Sequence, residues 1–145
     1  MKEAYEATVK MIKDSRNSYI SLAKEALFNA LKIYFEDYPE FIISWTQYTP
    51  YFNDGDPCTF SVNSPELFLN EGDFHYSDGY KSWNYYKGDF LENHPDLGIK
   101  VWDAWCSLAD FLTDIPDEIY EEIFNNHVRV IASKDGLQVE GYDHE

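Results

Sequence analysis

At Pro39 the spacing of apolar residues changes period, and this change constrains the fold more than any other feature of the chain. Before it, Tyr5, Val9, Ile12, Tyr19, Ala23, Leu27, Ala30 and Tyr34 recur at three- and four-residue steps, the stripe of one helical face. The polar stretch Asp14-Ser15-Arg16-Asn17-Ser18 is a weak spot where the pattern would allow two helices instead of one. Glu36-Asp37-Tyr38 is the exit, because proline cannot continue a helix. After it, "FIISWTQYTPYF" is rich in β-branched and aromatic residues and predicts a strand. Pro50 cannot donate to a ladder, so the later half of that strand is expected at an edge or bulge.

The alternation continues in Cys58, Phe60 and Val62, and "ELFLN" predicts a third strand, so residues 41–70 are expected to form an antiparallel meander. Residues 71–95 are irregular, aromatic-rich and broken by Gly72, Gly79 and Gly88. Val101, Trp102, Trp105, Leu108 and Leu112 then mark a helix from about Leu97 to Leu112. Pro116 suits the first turn of another helix, "DEIYEEIFNN". Lys134-Asp135-Gly136 between two alternating runs predicts a C-terminal hairpin. Helix, strands, helices and strands in this order predict an α+β fold. An N-terminal helix or helix pair would pack with the other helices on one face of a sheet holding the meander and the hairpin. At 145 residues, with no internal repeat or long linker, we expect one acidic globular domain over 1–145.

Charge narrows the function classes. The chain carries 11 Lys+Arg against 27 Asp+Glu, a formal net charge of −16. Residues 1–32 hold six basic and four acidic residues, a local +2; residues 33–145 hold five and 23, a local −18. Such a field repels nucleic acid and anionic membranes and attracts basic protein surfaces. No apolar run approaches the roughly 18 residues of a membrane span, and "MKEAYEATVKMIKDS" has no signal-peptide core, so a cytoplasmic protein is expected. Cys58 and Cys106 sit in no metal or redox spacing and are expected as buried free thiols.

Within "WTQYTPYFNDGDPCTFSV", the run Asn53-Asp54-Gly55-Asp56-Pro57 has the composition of a tight turn. A calcium loop would need further ligands at alternate positions, and "FSVN" follows instead. This 18-residue stretch resembles a motif of small uncharacterised proteins of bacteriophages and some bacteria. That resemblance implies a phage-type protein acting in a host bacterial cytosol, and with it a counter-defence role; it supplies no catalytic residues.

No G-x-S-x-G and no glycine-rich phosphate loop occurs, and His75, His94, His127 and His144 are scattered. Asp73 and His75, with Asp78 close by and Asp54 or Asp56 brought near, have the chemistry to hold a divalent metal. The tract "FHYSDGYKSWNYYKGDF" places Phe74, Tyr76, Tyr80, Trp83, Tyr85, Tyr86 and Phe90 within 17 residues, either as core or as interface anchors. Asp110, Asp114, Asp117, Glu118, Glu121 and Glu122 form a dense acidic run. Its acids at the start of "PDEIYEEIF" also complement the helix dipole.

The leading expectation is a non-enzymatic acidic interaction protein without a cofactor. As a phage counter-defence inhibitor it would occupy the basic nucleic-acid-binding groove of a host protein. Tyr80, Trp83, Tyr85 and Tyr86 would anchor it, and Asp114, Asp117, Glu118, Glu121 and Glu122 would stand in for phosphates. The alternative is a small metal-dependent hydrolase, or a nucleotide or second-messenger binder, using Asp54, Asp56, Asp73 and His75. A third is a plain accessory or assembly protein.

Overall fold

The computed structural model describes residues 2–51, 55, 58–70 and 76–143. One helix, α1 (Lys2–Asp37), runs unbroken through Asp14–Ser18, so the expected weak spot does not divide it. At about 1.5 Å per residue its 36 residues span about 54 Å. Its buried residues are confined to the last third, Leu27, Leu31, Tyr34 and Phe35, whereas every described residue before Tyr19 is exposed.

The sheet is antiparallel and centred on β1 (Phe41–Tyr48), which ends before Pro50 as the missing donor requires. On one side, β1 pairs with β4 (Val128–Ser133), which pairs in turn with β5 (Gly136–Gly141). On its other side lie both β2 (Ser61–Val62) and β3 (Glu66–Leu69), with Gln47 opposite Val62 and Ile43 opposite Leu67. The expected meander is therefore refined: β2 and β3 do not stack in order but form one return strand, interrupted at Asn63-Ser64-Pro65. Of the alternating run Cys58–Val62, only Ser61 and Val62 pair as a strand. The hairpin forms as expected, with Gly136 at φ 116°, a conformation that glycine adopts without a steric cost.

Three further helices follow: α2 (Asn84–Asn93), α3 (Gly98–Asp114) and α4 (Asp117–Phe124). Helix α2 falls in the tract expected to be irregular. The core gathers Leu31 and Phe35 of α1, Trp102 and Trp105 of α3, and Tyr120 and Phe124 of α4 against one face of the sheet. There Trp45 makes edge contacts with the rings of Tyr120 and Phe124, 5.6 and 5.9 Å between centroids. Phe41 meets Phe90 of α2 on the same face. The fold is thus α+β with its helices on one side, as the order of periods predicts.

Gln47 ties the helical layer to the sheet. Fully buried, it donates from Nε2 to the carbonyls of Tyr120 (2.9 Å) and Asn125 (2.7 Å) and accepts from Trp45 Nε1 (3.0 Å). Its amide thereby meets a carbonyl past the end of α4, where Asn125 holds φ at 72° and its N–H caps Glu121.

Candidate functional site

The residues expected to hold a metal, Asp54, Asp56, Asp73 and His75, lie outside the described residues. Among the described residues, no group of three or more His, Cys, Asp or Glu side chains is arranged to hold a metal ion.

Helix α3 is amphipathic: Val101, Trp102, Trp105, Leu108, Ala109 and Leu112 are buried, and the opposite stripe carries the exposed Asp103, Asp110 and Asp114. Steps of seven and four residues place these carboxylates about 10 Å and about 6 Å apart along the axis. After Ile115 and Pro116, α4 turns Ile119, Tyr120 and Phe124 inward, leaving Asp117, Glu118, Glu121 and Glu122 on its solvent arc. The acidic face therefore continues across two helices. Arg16 of α1 donates to Glu122 Oε1, an ion pair with both side chains about half exposed; this pairing raises the Arg16 pKa, with Glu118 adding to it.

The helix dipole accounts for only part of this arrangement. Asp117 and Glu118 occupy the first turn of α4, where carboxylates are favourable. Asp114 closes α3, and Glu121 and Glu122 fall in the C-terminal half of the eight-residue α4, where the dipole opposes negative charge. No basic residue occupies the last turn of either helix. The pairs Asp117/Glu121 and Glu118/Glu122 add like-charge repulsion at four-residue spacing. The ion pair with Arg16 accounts for Glu122; folding alone gives no reason for Asp114 or Glu121.

An aromatic patch borders the acidic stripe. Cys106, on the flank of the stripe between Asp103 and Asp110, lies 3.6 Å from the Ser82 carbonyl, fixing the start of α2 beside α3. Trp83 and Tyr85 are 53% and 80% exposed, with Tyr86 half-buried between them. Lys81 sits 4.7 Å from the Trp83 ring centroid. Tyr80 does not share this exposure. It pairs its backbone with Leu67, sets its ring edge-on to Phe90 and accepts from Asn93 Nδ2. Both thiols are half-buried, where full burial was expected. Burial first, then Asp110 and Asp103, pushes the Cys106 thiol above its ordinary value.

Two concavities escape the sequence patterns. On the sheet face away from the helices, Ser44, Thr46, Glu66, Lys81 and Arg129 line a polar cavity of about 420 Å³, with Trp83 also in its wall. The Arg129 guanidinium lies 3.6 Å from the Tyr76 ring centroid and 5.2 Å from that of Tyr142. Desolvation raises the Glu66 carboxyl, against the pull of Lys81 and Arg129. The signal for this site was a charge inside "HVRVIA": with Val130 in the core, Arg129 must face the other way. Between α1, α4 and the hairpin runs a groove of about 700 Å³, floored by Phe28, Leu31, Phe35 and Leu137 and edged by Lys24, Lys32 and Lys134.

Comparison with protein-family models, with curated proteins and with solved structures yields no match.

Proposed function

We propose that this chain is a non-enzymatic interaction protein that binds a basic protein surface through the face built by α2, α3 and α4. The observation that carries this reading is the placement of Asp114 and Glu121 in the C-terminal halves of their helices, where the dipole disfavours them. Carboxylates held against that field serve something outside the helix. Exposed Trp83 and Tyr85 beside the stripe supply what an acidic surface lacks, apolar contact area that can be desolvated. In its more specific form the reading makes the partner a nucleic-acid-handling protein whose groove the carboxylates fill, so that the chain inhibits it.

Differential capture from bacterial cytosol tests both forms. Immobilised wild type is compared with an Asp114→Lys/Asp117→Lys/Glu118→Lys/Glu121→Lys variant, which retains Glu122, and with Trp83→Ala. A basic protein retained by wild type and lost by both variants supports the face. Loss of nucleic-acid binding by that partner on addition of this chain supports the inhibitor form. Retention indifferent to the variants overturns the reading.

A second reading is favoured by the cavity beneath Tyr76, where Arg129 and Lys81 bring two cations together in a strongly acidic chain. It would make the chain a binder of small anionic ligands such as nucleotides. Calorimetric titration with ATP and cyclic dinucleotides, for wild type and Arg129→Gln, separates it from the first reading.

A further inference from the structure

We propose that the first four turns of α1, before Arg16, pair with the same segment of a second copy, antiparallel and centred on Val9. Tyr5, Val9 and Ile12 are 64%, 48% and 62% exposed, yet they lie on the side of α1 that further along buries Leu27 and Tyr34. The core-facing stripe thus passes Arg16, held by Glu122, and continues into solvent for about four turns. An isolated helix of this length is marginal in water, so an apolar cover would stabilise it.

Charge selects the occupant and its direction. With Val9 opposite Val9 of the second copy, Tyr5 meets Ile12 and Glu6 meets Lys13, each twice by symmetry. Antiparallel pairing also sends the two acidic bodies, each −18 over residues 33–145, to opposite ends; a parallel pair would place them side by side. The apolar groove is a poorer berth for this arm: its edge carries Lys24, Lys32 and Lys134, and the arm itself brings Lys2, Lys10 and Lys13.

Sedimentation equilibrium over a concentration series provides the test. Wild type is expected to move from 17.0 kDa toward twice that mass, and Val9→Asp is expected to stay monomeric, with the helix content that wild type has when diluted to monomer. Glu6→Lys and Lys13→Glu, each alone, should weaken the dimer by about tenfold, and the two together should restore it. A wild type that stays monomeric at millimolar concentration overturns the proposal. So does a dimer indifferent to Val9→Asp, or a double variant no tighter than the single ones. Binding of a basic partner at the α2–α4 face is read separately, by capture, and does not bear on this result.

Discussion

At the scale of single residues, polar groups inside the structure make the sharpest commitments. Gln47 satisfies three groups at once, and Leu has nearly its volume without its hydrogen bonds. Gln47→Leu is therefore expected to cost about 2–4 kcal/mol in urea unfolding, because Trp45 Nε1 and two carbonyls lose their partner. A loss below about 1 kcal/mol would show that the bonds are replaceable. Glu66 behaves in the opposite way. Desolvation raises its carboxyl above the ordinary value, so the folded state takes up a proton more readily than the unfolded one. Its contribution is present at low pH and is lost as pH rises through the folded value. Glu66→Gln should then be more stable than wild type at pH 7, with the difference vanishing below about pH 4.5 in paired denaturation curves. A difference that is independent of pH would contradict desolvation as its source.

At the scale of elements, what was legible followed the length of the periodic signal. The α1, α3 and α4 helices and the β4–β5 hairpin were readable because long stripes or turn chemistry spelled them out. Helix α2 was not. It buries only Phe90, begins at Trp83 without a side-chain cap, and contains Gly88, so neither period nor capping announces it. Its place is set from outside, by the packing of Phe90 on Phe41 and Trp102. Gly88→Ala tests this directly, since an added Cβ there meets nothing within 4 Å. It is expected to stabilise the protein by about 0.5–1 kcal/mol, read as a rise in the urea midpoint. The return strand is shorter than its alternation predicts for a related reason. Alternation in Cys58–Val62 predicts a strand, but pairing needs a neighbour, and only Ser61 and Val62 have one along β1. The acidic run was visible in the sequence. Its conflict with the helix dipole became visible only once the ends of α3 and α4 were placed. The Arg129 cavity depends on contacts among β1, β3, β4 and the turn at Tyr76, which no local pattern reports.

At the scale of the whole molecule, charge is divided along the fold. A slightly basic arm projects from a strongly acidic body, and seven of the body's 23 acidic residues lie on α3 and α4, near Trp83 and Tyr85. A surface of this kind acts first on encounter, through long-range attraction, and then on residence, through desolvated aromatic contact. The two contributions separate kinetically. The most direct measurement is the association and dissociation rate of the captured partner over a salt series, for wild type, the four-site Asp/Glu→Lys variant and Trp83→Ala. The predicted result is a wild-type association rate that falls steeply between about 0.1 and 1 M salt, as the Debye length shrinks from about 10 to about 3 Å. The charge-reversed chain should associate slowly at every salt concentration, and Trp83→Ala should associate normally but dissociate faster. Association rates for wild type and the charge-reversed variant that coincide across the series would contradict the account.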